Sequence, residues 1–386
     1  MAKLDLYTPM DMRAPGAVSG VYALECAMDE LAFRLRMDPL EHRIRNYTER
    51  DQTEDKPFGS KELRACYEQG ARRFGWLRRD PRPGSMRDGH ALIGWGMATG
   101  IWDAMQEPAS AKAVLTADGS LTVSAATADI GTGTYTAMTQ IAADTLGLPV
   151  QNVIFRLGDS SLPDAPVEGG SFTVSSVGSA VRAACERLRE KLIRRARASR
   201  GSWSSDQLLE VMRGSCLATM EAKASVTPTG KRERYSHYAH SAIFAEVEVD
   251  GDFGTVRVTR VVSAVAGGRI VNPKTARSQI LGGIVWGIGM ALEEGSLLDH
   301  RLGRFMNHNL ADYHVPVNAD VQDLDVIFVE ERDDIVNPLG AKGLGEIGIV
   351  GTAAAIANAV FHATGRRVRD LPITPDRLLA TVPVVD

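Results

Sequence analysis

The sequence has no paired cysteines. Cys26, Cys66, Cys185 and Cys216 are scattered with no C-x-x-C spacing, which argues against an iron–sulfur or zinc site built from this polypeptide. Lone thiols of this kind suit a reduced compartment. No apolar run approaches the roughly 18 residues that a membrane crossing needs, so no membrane role is expected. Nor is there an excess of positive charge. Lys and Arg number 44 against 48 Asp and Glu, for a net charge of −4, which gives no support for a nucleic-acid partner. The first residues, MAKLDLYTPMDMRAPG, lack the basic-then-apolar layout of an export signal. A cytoplasmic location is expected, or a periplasmic one if a partner carries the signal. Of the 8 histidines, His237 and His240 alone have a spacing a metal could use. They precede an alternating strand pattern, where a structural role fits better.

Glycine is abundant, at 37 residues. It is densest in Asn337–Gly365, NPLGAKGLGEIGIVGTAAAIANAVFHATG, where five glycines crowd around one carboxylate, Glu346. Without a Cβ, such backbone can run close to another group or take a positive φ. The loop could therefore press its amides against a flat, bulky ligand and point Glu346 at it. The same composition also fits a strand-to-helix turn carrying an incidental acid. The Ala-rich helix expected from about Thr352 can pack tightly, and its N-terminus favours nearby negative charge.

With 386 residues, 44% hydrophobic and 24% charged, the chain can build two or more domains with sizeable cores. Pro15-Gly16 marks a turn, and Val18 to Leu35 has helical spacing. A helix is expected around Lys61 to Phe74, and strands from Ala91 to Ser124 with a hairpin at Asp118-Gly119. Asp129 to Gly147, DIGTGTYTAMTQIAADTLG, is a glycine turn opening a helix. It lacks the third glycine and βαβ setting of a dinucleotide fingerprint, but such a turn can bind an anion. In GGSFTVSSVGSAV, hydroxyl residues enter a helix, where they can donate to a phosphate or a ring edge, or simply cap the helix. Arg182 to Arg200 reads as a solvated helix face. From Ser236 on, alternation predicts two strands. Pro273 to Glu294 is a glycine-studded helix, and each such glycine costs about 1 kcal/mol against Ala, so another helix or a ligand must approach closely. Tyr313–Pro316 and Val326–Glu331 read as strand pieces. The expected organisation is a first lobe over 1–200, a linker or insertion over 201–235, and a second lobe over 236–386 carrying the Glu346 loop.

AKGLGE, the apolar helix after it and ATGRRVRDLPITPDRL together resemble the end of the large, molybdenum-binding subunit of the xanthine dehydrogenase and aldehyde oxidase family. MRAPG, DIGTGTYT and GGSFTVSSVG match further motifs of that family in the same order. The resemblance implies an α+β fold of two lobes, mixed sheets with packed helices. It implies that Glu346 is the active-site base. It further implies that Pro15, with Thr99 and Trp102, borders the substrate. The implied cofactor contacts are Arg13 and Ala14; Gly131, Thr132, Gly133 and Thr134; Thr173, Val174, Ser175, Ser176 and Gly178; Gln279; and Lys342, Gly343 and Gly345. Where the family often has Gln, this chain has Thr132, so a side-chain contact there is shortened or lost.

The bacterial members it resembles use a molybdopterin cytosine dinucleotide carrying molybdenum, with iron–sulfur clusters and FAD on separate partner chains. The family's large subunit is about twice this length, and what is missing lies upstream of the Arg13 loop. The expected partners are that N-terminal half, an iron–sulfur subunit and a FAD subunit, with an aldehyde or N-heterocycle as substrate. The expected activity is molybdenum hydroxylation. The alternative is a truncated, non-catalytic cofactor-binding or assembly module.

Overall fold

A computed structural model describes residues 10–196, 203–228 and 230–379. The start of the Leu6–Gly16 motif and the last residues of the helix expected to reach Arg200 lie outside the described residues. The chain begins with α1 (Ala17–Arg34) and α2 (Pro39–Arg45), followed by a ribbon of β1 (Arg50–Asp51) and β2 (Lys56–Pro57), then α3 (Leu63–Phe74), β3 (Arg87–Asp88) and β4 (Ala91–Asp103). Next come β5 (Ala109–Thr116), β6 (Leu121–Ser124), α4 (Thr134–Leu146), β7 (Val153–Arg156), α5 (Ser179–Arg195), α6 (Ser205–Gly214) and β8 (Thr219–Val226). The remainder is β9 (Tyr238–Asp250), β10 (Val256–Ala266), α7 (Pro273–Leu292), a ribbon of β11 (Leu298–Asp299) and β12 (Arg304–Phe305), β13 (Asp323–Phe328), α8 (Thr352–Thr364) and α9 (Pro375–Leu379).

Two mixed sheets organise these elements. One has the order β13-β10-β9-β4-β3 and the other β7-β6-β5-β8. Each contains a single parallel pair, β10 with β13 and β6 with β7. The larger sheet is covered on both faces. Ile243, Ala245 and Val247 of β9 face a core with α7 and α8, while Ala242 and Phe244 face α3 and Trp76, as the two-residue period of a strand requires. The smaller sheet packs Ala111, Ala113 and Leu115 against α4, α5 and α6.

The lobe boundaries expected from composition are corrected by strand pairing. β4 and β9 pair along their whole length, from Ala91 opposite Asp250 to Asp103 opposite Tyr238. Everything between them, β5 through β8, is thus an insertion into one long hairpin. Within 201–235, expected as a linker or insertion, the described residues supply α6 and also β8, which pairs with β5 from Thr219 to Val226. Polar composition there reflects an edge strand with one solvated face. The basic face of α5 serves that edge: Arg187 donates to Lys223 O at 2.9 Å and Lys191 to Glu221 O at 2.7 Å. Tyr313–Pro316 forms no strand, and the Tyr313 hydroxyl donates to Glu294 Oε2 at 2.9 Å.

α8 lies directly on β4. A Cβ on Gly94 or Gly96 would overlap the α8 backbone at Ala359, so these glycines are what allow contact. β3 covers only Ala91 and Leu92 of the outer β4 edge, and side chains meet backbone groups of Trp95, Met97 and Thr99 beyond it. Trp95 N–H donates to His362 Nδ1 (3.0 Å), Arg79 Nε to Trp95 O (3.1 Å), Asn358 Nδ2 to Met97 O (3.1 Å) and Thr99 N–H to Glu25 Oε2 (2.7 Å). His362 Nε2 donates to Asp80 O at 2.6 Å.

Two predictions follow from this packing. Gly96→Ala should destabilise by about 3 kcal/mol or more through overpacking, read as a lower urea midpoint. Burial, aided by the Arg79 charge, pushes His362 down to about 4, and burial with the nearby Lys342 and Lys61 charges pushes His240 well below 6.5. Between about pH 6.5 and 4 the folded chain then binds fewer protons than the unfolded one. Stability is fully present above the unfolded value and is lost as pH falls. His362 should account for about 2 kcal/mol of the loss between pH 7 and pH 5, and His362→Gln should flatten that part of the slope in urea titrations.

Candidate functional site

The segment 337–351 runs between the two cores. Leu339 and Ala341 pack in the small-sheet core, whereas Ile347, Ile349 and Val350 pack in the large-sheet core. Glu346 therefore stands at the seam. Arg13 fastens this segment to its neighbours: Nε donates to Gly345 O at 2.6 Å, and Nη2 donates to Gln279 O at 2.8 Å and also to Gly345 O. Burial pulls the Arg13 guanidinium down from its ordinary value, and the Glu346 charge opposes this. One fork-shaped cation thus ties the N-terminal loop, the start of α7 and the Glu346 loop together.

Each Glu346 oxygen has a donor. Ala14 N–H reaches Oε1 at 3.2 Å and the Ser171 hydroxyl reaches Oε2 at 3.0 Å. Ser171 presses so closely on the loop that a Cβ on Gly343 would stand 2.6 Å from its Cβ. The Ser171 loop is secured by Trp102 Nε1, which donates to Gly170 O at 3.1 Å, and by Glu168. Glu168 accepts from the Thr127 hydroxyl, from Ala128 N–H at 3.1 Å and from the Thr173 hydroxyl at 2.9 Å. α7 joins the glycine turn to this group. A Cβ on Gly133 would stand 2.7 Å from Thr275 Cγ2, and one on Gly345 would stand 3.9 Å from Gln279 Oε1. Thr275 and Gln279 share a face of α7, four residues apart. Arg13, Ala14, Gly133, Gln279, Gly343, Gly345 and Glu346 are accordingly brought together.

Other expected contacts are placed elsewhere. Ser175 Oγ donates to Met105 O at 2.7 Å, Ser176 Oγ accepts from Glu107 N–H at 2.9 Å, and Gly178 abuts Ile141 and Leu339. These contacts lie inside the small-sheet module, where Val174–Gly178 forms a π-helical turn leading into α5. The Thr99 hydroxyl pairs with Tyr67 OH at 2.7 Å. Trp102 is buried and supports the Ser171 loop, and Pro15 is exposed beside Ala14. Lys342 is wholly enclosed: Nζ donates to Glu331 Oε1 at 2.7 Å and Ser60 Oγ at 2.8 Å and lies 3.6 Å from Asp333 Oδ2. Burial alone would raise the Asp333 carboxyl; His237, Lys342 and the Ile335 and Val336 amides outweigh it and hold it below the usual range. Lys342 is thus an anchor at the base of the loop. In the glycine turn, Asp129 accepts from the amides of Gly131 (2.9 Å), Gly133 (3.2 Å) and Tyr135 (3.3 Å), while the Thr132 and Thr134 hydroxyls pair at 3.2 Å. The turn's anion site is filled by the chain's own carboxylate.

Sequence reasoning missed Ser171, Glu168 and Asp129. Asp129 had a local signal, an Asx residue two places before a glycine turn. The Glu346 partner of Ser171 lies 175 residues away in sequence and leaves none, and Glu168's partners at Thr127 and Ala128 are 41 and 40 residues away.

Around Glu346 the glycine backbone of Gly343 and Gly345 packs on Ser171, and the Gln279 carboxamide stands on the same side as Gly345. Among the described residues no group of His, Cys, Asp and Glu could hold a metal ion. The polar groups gathered beside Glu346 are backbone amides, the Ser171 hydroxyl and the Gln279 carboxamide.

Lys342→Met should cost about 3–5 kcal/mol by stranding Glu331 and Asp333 without their cation, measured as a fall in unfolding midpoint.

Comparison with known proteins identifies the family of the chain. A family described as a molybdopterin cofactor-binding domain matches residues 69–322, and a second of the same description matches 2–47. The aldehyde oxidoreductase molybdenum-binding subunit PaoC of Escherichia coli (strain K12) is 42% identical over 100% of this chain and 54% of its own length. The xanthine dehydrogenase molybdenum-binding subunit of Escherichia coli O157:H7 is 30% identical over 95% of this chain and 52% of its own length. Among solved structures, the aldehyde oxidoreductase from Desulfovibrio gigas aligns with a TM-score of 0.80 at 26% identity, over 95% of this chain and 41% of that one. A Cu,Mo-CO dehydrogenase shares the fold at 20% identity and a TM-score of 0.81, over 95% of this chain and 52% of its own. The chain spans about half the length of the curated relatives it matches. With a family match over 69–322 and a glycine-walled acid at the seam of two cores, the chain belongs to the molybdopterin cofactor-binding domain family.

Proposed function

We propose that this chain is the part of a molybdenum hydroxylase that carries the active-site base, acting on aldehydes or N-heterocycles. The observation that carries this reading is the Glu346 carboxylate, held by Ala14 and Ser171 where the Arg13, Ser171 and Gln279 segments meet. Similarity to an aldehyde oxidoreductase subunit supports the aldehyde class. The finer cofactor assignment, the cytosine dinucleotide form, rests on the resemblance to bacterial large subunits.

When bound, the cofactor would supply the two-electron redox centre. The chain's own part is positional and acid–base. Gly343, Gly345 and Gln279 would line the cofactor's approach, and Ser171 and Ala14 fix the carboxylate, so that Glu346 accepts a proton at the oxygen facing the reacting atoms. A carboxylate held at both oxygens has little freedom to misalign, which is how a general base becomes effective. Arg13 holds the loop by its backbone carbonyl and leaves the Glu346 oxygens to Ala14 and Ser171.

The partners in this reading are the N-terminal half of the molybdenum subunit, an iron–sulfur subunit and a FAD subunit. A cofactor-binding or assembly module without turnover is the second reading. Purification of the native complex separates the two: turnover together with a chain carrying the other half supports the first. In that complex, Glu346→Gln should lower turnover about 10²- to 10⁴-fold at unchanged molybdenum content. Near wild-type turnover would contradict the assignment of Glu346 as the base.

A further inference from the structure

Among the described residues, five that are not glycine have a left-handed backbone: Ala14, Arg36, Asp55, Ser171 and Cys216. Arg36, Asp55 and Cys216 are exposed, where a turn can take the conformation without consequence. Ala14 and Ser171 are different. They are the two donors to Glu346, one by its N–H and the other by its hydroxyl. Left-handed backbone at a residue with a Cβ is unfavourable and persists only where the surroundings over-determine it.

The surroundings of Ser171 do so. Gly170, just before it, also has positive φ (+56°), and its carbonyl is held by Trp102 Nε1 at 3.1 Å. Across from it, Gly343 and Gly345 lack the Cβ atoms that would come 2.6 Å from Ser171 Cβ and 3.0 Å from Ser171 Oγ. Glycine would be the unstrained choice at φ +62°, yet glycine has no hydroxyl to offer Glu346.

We infer that Ser171 is a positioning residue for the Glu346 carboxylate, kept in a strained backbone because that backbone is what aims its hydroxyl at Oε2. The inference rests on the reading of Glu346 as the base. With Ala14 N–H on the other oxygen, Ser171 sets the plane of the carboxylate, so its removal should slow the proton transfer without weakening substrate binding.

The test compares three variants in the assembled, molybdenum-loaded complex. Ser171→Gly relieves the strain and removes the hydroxyl; Ser171→Ala removes the hydroxyl alone; Cys216→Gly relieves the same kind of strain at an exposed turn. Ser171→Gly should raise Tm by about 1–2 °C while lowering kcat about ten- to a hundredfold, with KM and molybdenum content little changed. Ser171→Ala should lose the same kcat without the gain in Tm, and Cys216→Gly should keep wild-type kcat. In infrared difference spectra, wild type minus Ser171→Ala should show a carboxylate band shift that Glu346→Gln abolishes. Wild-type kcat in Ser171→Gly would overturn the inference. So would activity loss that tracks molybdenum loss in both Ser171 variants, since that would make the serine a cofactor contact. If the wild-type complex turns over neither aldehydes nor N-heterocycles, the functional reading fails, and the infrared band and Tm still decide the role of Ser171.

Discussion

The arrangement depends on one constraint: the chain from Leu339 to Val350 must serve two hydrophobic cores within a dozen residues. Leu339 and Ala341 belong to the small-sheet core, and Ile347, Ile349 and Val350 to the large-sheet core. A segment fixed at both ends has few conformations left for its middle, and glycines let that middle pass against Ser171 and α7. The acid is therefore placed by packing on both sides of it. Lys342 strengthens the first anchor with a buried ion pair, and Arg13 the second with bonds to Gly345 O.

The same economy appears at the exposed margins of the sheets. The outer β4 edge carries no partner strand beyond Leu92, yet Trp95, Met97 and Thr99 are met by His362, Arg79, Asn358 and Glu25. Side chains from helices thereby block an edge that could otherwise recruit another chain. Because α8 can only reach β4 over glycine, the Ala-rich helix and the Gly94/Gly96 pair depend on each other, though more than 250 residues separate them. The helix that follows Glu346 is held by this contact, which links the stability of the large sheet to the geometry of the site.

Much of this was legible in the sequence. Periodicity located α1, α3, α7, α8, β9 and β10 closely, and glycine density pointed to the Glu346 loop and to tight approach along α7, where Gly283 meets Gly348 and Gly287 meets Thr352. The insertion of the small-sheet module into the β4–β9 hairpin was not legible, because pairing between residues 91–103 and 238–250 leaves no local pattern. For the same reason the sequence could not show that Ser175 Oγ donates to Met105 O and that Ser176 Oγ accepts from Glu107 N–H. Nor could the sequence show that the Lys342 ammonium is enclosed by Glu331, Asp333 and Ser60.

The central claim is that the Glu346 carboxylate stands beside the metal of a cofactor lying between the Arg13, Ser171 and Gln279 segments. Anomalous diffraction at the molybdenum edge from crystals of the assembled complex tests it most directly. The account predicts a single peak on the Glu346 side of the site, with no protein side chain between it and the carboxylate. A peak on the far side of the Asp129-filled glycine turn, or one separated from Glu346 by protein side chains, would contradict it.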